Sequence, residues 1–223
     1  MRNVLVALLA AALLELSAIE ANAQDTIKVE HTTYTSEWVK SAHIPVLVTY
    51  TLTAADLDCK DAVGRKAGMT ADPLVPGTNL NGDYKGSGYD KGHNMSSDDN
   101  RCNETIQDEC FYFTNMYPQV HELNAGIWLA LERNERDSAT TYGSVITFVG
   151  SFGKDGEIGP DKVFVPSYCW KVMYIPKVKR WHGYIFPNKD CGGVPDDWTQ
   201  FTGEQARWVK YIVRKYGGMK WNN

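Results

Sequence analysis

Short runs of apolar and β-branched residues recur along the chain and predict strands. The run at residues 44–52 has a proline near its start and reads as a strand. Residues 111–116 predict a short buried strand that ends at Tyr117 and Pro118. Four further runs, separated by glycine, proline and aspartate turns, predict strands at residues 144–149, 162–165, 168–175 and 183–186.

Two other segments repeat apolar residues at helical spacing. The first covers residues 122–136, with apolar positions at Leu123, Ile127, Ala130 and Leu131. The second covers residues 202–216, where Thr202 and Gln205 have the spacing of a capping box. Several strands with few helices indicate an α+β fold, in which a central, mainly antiparallel sheet is flanked by helices.

The composition supports one folded domain behind a leader. The chain has 223 residues, 43% hydrophobic and 22% charged, which is enough for one sizeable core. Residues 1–23 are similar to a secretory signal, with Arg2, an apolar run at residues 4–14 and a small-residue cleavage site ending at Ala23. We therefore expect a single domain over residues 24–223 in a secreted or periplasmic protein without a membrane anchor.

Five cysteines follow the predicted leader, and in an exported chain they favour disulfides over metal sites. A Cys102–Cys110 bond would close a short polar excursion, and a Cys169–Cys191 bond would join a strand to a later loop. Cys59 would then be left over, although spacing alone fixes no pairing. The formal net charge of −4 excludes a protein that coats nucleic acid with positive charge, so any such role needs a local cationic site.

The strongest candidate for chemistry lies at the end of a long loop. Residues 71–92 are rich in glycine, proline, asparagine and aspartate, and loops of this length are often functional. Asp90, Lys91 and His93 then place an acid, a cation and an imidazole within four positions. An unperturbed imidazole has a pKa near neutrality, and a base that activates water against a phosphodiester needs a cation beside it.

A second group of polar residues shares one face of the helix predicted at residues 122–136. At about 100° per residue, Asn124, Glu132 and Arg136 fall within an arc of roughly 120°. The rise from Asn124 to Glu132 is about 12 Å, too far for both to bind one ion directly unless water intervenes or the helix bends. Mg²⁺ suits such a sparse site, because it takes few protein oxygens and keeps several waters.

These two groups together resemble the DNA/RNA non-specific endonucleases, a family with a ββα-metal finger. The family motif Asp-Arg-Gly-His has its counterpart in residues 90–93, preceded by a similar stretch at residues 83–89. The second family signature, from Asn-Met through Pro-Gln and Leu-Asn to Leu-Glu, matches residues 115–132. The resemblance extends in layout over residues 44–215 and implies a ββα-metal finger as the active site.

The resemblance also implies roles for single residues. His93 would be the general base, and Asn124 would be the sole protein ligand of Mg²⁺, with Mn²⁺ as a substitute. Glu132 would hold waters of the ion, and Arg136 would stabilise charge on the phosphate. Such an enzyme cuts DNA and RNA with little sequence preference and leaves 5′-phosphates.

The substrate contacts differ from the family pattern in two respects. Asp90 and Lys91 are candidates for binding the substrate, but Lys91 stands where the family usually has arginine, so the planar fork that grips a phosphate is lost. The family also carries an upstream arginine before an Asp-Pro pair, and here both Arg65 and Lys66 qualify. A zinc-protease reading of the His121-Glu122 pair fails, because the second histidine of that motif is absent.

Two alternatives to a nuclease are left open by the sequence. One is a nucleic-acid-binding protein on the nuclease scaffold without activity, which only Lys91 suggests. The other is a phosphodiesterase that acts on smaller esters, since a fold does not fix the substrate.

Overall fold

The computed structural model describes residues 25–190, and an antiparallel sheet of six strands forms their centre. Its strands are β1 (Thr26–Glu30), β2 (Tyr34–Val39), β3 (Ile44–Thr53), β6 (Ser144–Phe152), β9 (Tyr168–Ile175) and β10 (Arg180–Pro187), in that spatial order. Two small ladders lie outside this sheet, formed by β4 (Asp90–His93) with β5 (Met116–Gln119) and by β7 (Gly156–Ile158) with β8 (Val163–Val165).

The side chains of the central sheet alternate between two apolar clusters, as the two-residue period of a strand requires. In β9, Cys169, Met173 and Ile175 belong to the larger cluster, whereas Trp170 and Val172 belong to the smaller one. The larger cluster also contains Leu131 and Ala139, the buried apolar residues of a long helix that packs on the sheet. One face of the sheet therefore carries that helix, and with it part of the candidate site.

The helices of the described residues are short except for one. They are α1 (Ala54–Leu57), α2 (Asn81–Tyr84), α3 (Glu104–Glu109) and α4 (Leu129–Tyr142), and a wider π-type turn at Leu123–Trp128 leads into α4. The long helix α4 ends at Gly143, whose φ of 92° suits a residue without a side chain. In the described part of the chain, no helix is long and apolar enough to cross a membrane.

The α+β fold class is confirmed, and the sequence located most of the sheet correctly. The strands predicted at residues 44–52 and 168–175 match β3 and β9 closely. β1 and β2 were not predicted, because their runs are short and interrupted by polar residues. The predicted leader at residues 1–23 and the helix predicted at residues 202–216 lie outside the described residues.

The strand prediction at residues 111–116 was wrong in its position. Phe113–Asn115 form a 3₁₀ turn, and the strand β5 begins only at Met116. Pro118, which was expected to end the strand, lies inside β5 opposite Lys91. Proline is tolerated there because β5 belongs to a two-stranded ladder, where it has a partner on one side only.

The disulfide expected between Cys102 and Cys110 was also wrong. Cys102 is bonded to Cys59, 43 residues earlier, and the thiol of Cys110 is buried. Asn100 donates a hydrogen bond of 2.9 Å to the sulfur of Cys110, and burial raises the pKa of this thiol. Cys191, the expected partner of Cys169, lies outside the described residues.

A buried ion pair joins the sheet to the long helix. Lys171 of β9 donates to Glu135 of α4 over 2.7 Å, and neither side chain is exposed. The hydroxyl of Thr147 donates to the other oxygen of Glu135 over 2.5 Å, and the ammonium lies 3.3 Å from the hydroxyl of Tyr50. The ammonium also lies 5.4 Å from the ring centroid of Trp128. Lys171 is therefore enclosed by its partners and has no access to water.

We predict that Lys171→Met lowers the free energy of unfolding by about 3–5 kcal/mol, because Glu135 is left buried without its cation. The exposed pair Lys28–Glu30 offers a control, and Lys28→Met is expected to change stability little. Chemical denaturation followed by circular dichroism measures both variants. Adding Glu135→Leu to Lys171→Met should recover part of the loss, and no recovery would contradict the assignment of the loss to an unpaired charge.

Candidate active site

The β4–β5 ladder and the helical segment after it form a ββα unit that assembles the predicted residues. In this ladder, Asp90 is opposite Gln119, and His93 is opposite Met116. Gly92 lies against the side chain of Gln119, and a Cβ added at Gly92 would come within 2.7 Å of the Gln119 Cβ. The glycine of the motif is therefore required for space.

His93 has a buried imidazole with one unused nitrogen. Its Nε2 atom has no hydrogen-bond partner among the described residues, which is costly for a buried polar atom and typical of functional groups. The ring meets that of Phe111 edge-on, with the centroids 5.4 Å apart. Burial, together with the nearby positive charge of Arg65, lowers the pKa of His93 to about 3. The imidazole is therefore neutral at physiological pH and able to accept a proton.

Asn124 is oriented by a carboxylate from the neighbouring strand. Its amide nitrogen donates to Asp90 Oδ2 over 2.9 Å, and His121 Nδ1 lies 2.9 Å from the same oxygen. The hydrogen bond between His121 and Asp90 raises the pKa of His121. Because the amide nitrogen is occupied, the amide oxygen of Asn124 is the atom left for a ligand. Asp90 thus orients Asn124, and its contact with the substrate stays a prediction.

The helix that carries Asn124 and Glu132 is bent between them. Gly126 has non-helical backbone angles (φ −98°, ψ −110°), and the chain follows a π-type turn up to Trp128. Such turns are frequent at functional sites. The separation between Asn124 and Glu132 calculated for a straight helix therefore does not apply. The sequence left open either an intervening water or a bent helix, and the structure has the bent helix.

Glu132 and Arg136 contact the segment that follows His93. The hydroxyl of Ser96 donates to Glu132 over 3.1 Å, and Arg136 donates to Asp99 over 2.9 Å. Burial raises the pKa of Glu132, and it raises that of Asp99 to about 8, with the nearby carboxylate of Glu135 as the next cause. Both acidic side chains are thus held in a protein interior, where a nearby positive charge has a large effect.

The sequence did not identify residues 94–100 as part of the site. This segment follows His93 directly and contacts α4 through side chains. The side chain of Asn115 accepts a hydrogen bond from the backbone of Met95 and donates one back, each over 2.9 Å. Ser96 and Asp99 then bind Glu132 and Arg136, the two candidate residues of α4. Their position directly after the His93 motif was the available signal, but serine and aspartate are so common in turns that it was not distinctive.

The two candidate upstream cations point to different places. Arg65 donates to the hydroxyl of Ser97 over 2.5 Å and lies 5.2 Å from the ring centroid of Phe111, the ring that His93 also meets. Lys66 instead forms an ion pair of 3.1 Å with Asp108. The structure therefore brings Arg65, and not Lys66, to the imidazole.

An open groove of about 560 Å³ adjoins Asn124. Its lining includes Asp90, Lys91 and Asn124, together with Asn81 and Lys85. Lys91 and Asn124 therefore line the same space.

The donor atoms fit Mg²⁺ better than a metal that needs several strong ligands. Among residues 25–190, no group of three or more histidine, cysteine, aspartate or glutamate side chains is arranged to hold an ion. The neutral amide oxygen of Asn124 is a single hard donor, which suits an ion that keeps most of its waters.

The ββα unit thus brings together a buried imidazole with an unpartnered Nε2, an amide oriented by a carboxylate and the buried carboxyl group of Glu132. The family model for DNA/RNA non-specific endonucleases matches residues 15–216, and the chain belongs to this family.

Known proteins agree with this assignment. The chain is 32% identical to mitochondrial endonuclease G from Bos taurus over 123 residues, which are 48% of the chain and 41% of that protein. It is 36% identical to the mitochondrial nuclease EXOG from Danio rerio over 120 residues, 48% of the chain and 35% of that protein. The chain thus spans about two fifths of the length of these relatives. The crystal structure of EndoG in complex with EndoGI is also similar to this chain, with a TM-score of 0.72 and 27% sequence identity. The match covers 85% of this chain and 83% of the chain in that structure.

The relatives contradict one expectation from the sequence. A secreted or periplasmic location was expected from residues 1–23 alone, whereas endonuclease G and EXOG are both named as mitochondrial proteins. The family match also begins at residue 15, inside the segment taken for a leader. A charged start followed by a short apolar run was too little to establish export.

We predict that Arg65→Ala lowers kcat/KM for nucleic acid about tenfold or more, because the charge-assisted contact expected between the guanidinium and a substrate phosphate is lost. Removing this charge also raises the pKa of His93, so the acidic limb of the pH profile of kcat/KM should move to higher pH. Lys66→Ala is the matched control and should leave both quantities close to those of the parent. Equal effects of the two variants would refute the distinction between them.

Proposed function

We propose that this protein is a Mg²⁺-dependent endonuclease, with Mn²⁺ as a substitute, that hydrolyses DNA and RNA with little sequence preference and leaves 5′-phosphates. The observation that carries the proposal is the ββα unit, where His93 has an unpartnered Nε2 and Asn124 presents its amide oxygen. Family membership supports the reaction class. We propose further that residues 24–223 form a single nuclease domain.

In the proposed mechanism, His93 acts as the general base. Its imidazole accepts a proton from the water that attacks phosphorus in line with the leaving oxygen. The pKa of the buried imidazole is low in the free protein, and the negative charge of a bound phosphate raises it toward the working pH. Proton transfer to His93 is thereby favoured when a substrate is present.

The residues of the helical segment bind and orient the other groups. Asn124 would hold the metal ion through its amide oxygen, with Asp90 fixing the amide. When bound, the ion supplies positive charge to the phosphate and to the leaving 3′ oxygen. Glu132, held by Ser96, accepts hydrogen bonds from waters in the site, and Arg136 keeps guanidinium N–H groups for the phosphate beyond the one given to Asp99.

The lack of sequence preference follows from the kind of contact available. The proposed substrate contacts are cations, namely Arg65, Lys91 and Arg136, and these recognise the phosphate backbone, which is the same in every sequence. With a net charge of −4 over the whole chain, binding depends on these local charges, so cleavage should weaken as salt rises.

We predict that the purified protein nicks plasmid DNA with Mg²⁺ and that EDTA abolishes the activity. His93→Ala should lower kcat by about 10²-fold or more, the range for loss of a general base. His182→Ala replaces a half-buried histidine on β10 and is the matched control, with activity near that of the parent. Polynucleotide kinase should label the product ends only after phosphatase treatment, as 5′-phosphates require.

The outcomes separate the competing functions. Tight binding of nucleic acid without metal-dependent cleavage would support an inactive binding protein, and cleavage restricted to small phosphodiesters would support the phosphodiesterase. Full activity of His93→Ala would refute the proposed base. Comparing single-stranded DNA, duplex DNA and RNA as substrates tests the breadth of the specificity.

A further inference from the structure

Lys91, which stands where the family motif has arginine, is held in an unusually defined position for a lysine. Its ammonium donates to Asn81 Oδ1 over 2.8 Å. The same nitrogen lies 5.8 Å from the ring centroids of both Tyr84 and Phe113. Partial burial lowers its pKa. A lysine side chain is normally flexible and bears a point charge, so these contacts restrict a group that is otherwise free to move.

Asn81 is itself fixed, and its orientation follows from its other bonds. Its amide nitrogen donates to the backbone carbonyl of Met69 over 2.9 Å and to the side chain of Asn79 over 3.1 Å. Because the nitrogen is committed to these two acceptors, the oxygen points to Lys91. Asn81 opens α2, so its backbone is also anchored by this short helix.

The restrained ammonium faces the groove next to the candidate active site. Asn81 and Lys91 both line this groove, together with Asp90 and Asn124. Asn81 accepts one N–H of the ammonium, which leaves the other two donors for a ligand in the groove. A backbone phosphate next to the scissile phosphate that we propose lies near Asn124 is a ligand of matching charge.

We propose that Asn81 is a positioning residue that holds the Lys91 ammonium in the groove as a binding point for a phosphate of the nucleic-acid backbone. This inference rests on the proposed function. An arginine fork fixes its own geometry through two parallel hydrogen bonds, and a lysine cannot do so. Here Asn81 and the two aromatic rings supply the restraint from outside, so the lysine acts as a preorganised contact.

A double-mutant cycle on Asn81 and Lys91 tests the proposal. Asn81→Ala should raise KM about threefold to tenfold, the loss expected for one typical hydrogen bond, with kcat close to the parent value. Lys91→Ala should raise KM further and reduce the slope of log KM against log salt by about one. In the Lys91→Ala background, Asn81→Ala should have little additional effect, because the group that it positions is gone.

Two further variants make the test sharper. Asn134→Ala removes an exposed asparagine of α4 and is the control, with an unchanged KM expected. Asn81→Asp keeps an acceptor for the Lys91 ammonium but adds a negative charge that offsets the positive charge of the ammonium. It should therefore raise KM more than Asn81→Ala. Thermal unfolding of every variant checks that the fold is intact.

Failure of this inference can be distinguished from failure of the proposed function. The cycle is repeated as binding of a fluorescent oligonucleotide in EDTA, a readout that needs no cleavage. A parent protein that binds but never cleaves would refute the nuclease, while the cycle would still report on Asn81. An unchanged KM and affinity in Asn81→Ala, or an equal loss with and without Lys91, would overturn the positioning role.

Discussion

The buried pair between Lys171 and Glu135 sets how the long helix lies on the sheet. Glu135 must face β9 to keep its cation, and this fixes the rotation of α4 about its axis. Glu132 and Arg136 are one turn apart on the helix and occupy the adjoining row, so they turn toward the segment after β4. The site thus inherits its geometry from an interaction in the core, since an unpaired charge there would be strongly destabilising.

The segment between β4 and β5 connects His93 with Glu132 and Arg136. It follows His93 directly and supplies Ser96 to Glu132 and Asp99 to Arg136. The buried carboxyl groups of Glu132, Asp99 and Glu135 lie near one another, which is one reason why the pKa values of Glu132 and Asp99 are raised. The charge state of the site is therefore a property of the group, and a change at one member affects the others.

The sequence identified the candidate site residues, whose roles stay predictions, from short signatures, and it located the elements that carry them less well. His93, Asn124 and Glu132 stand in signatures with fixed order and spacing, and strands such as β9 have a clear apolar pattern. The contacts of Ser96 and Asp99 could not be predicted, because they depend on tertiary packing between segments far apart in the chain. Those of Asn81 join residues within one irregular loop, whose path has no sequence pattern. The bond between Cys59 and Cys102 was missed because spacing does not reveal which loops meet.

The tight contact between Gly92 and Gln119 has a consequence for how this site can evolve. The Gln119 side chain fills the space that any side chain at position 92 would need, and it is fully buried. A larger residue at position 92 would push β5 away from β4 and displace the neighbouring His93. Positions 92 and 119 are therefore expected to covary, because a side chain gained on one strand has to be offset by a smaller one on the other.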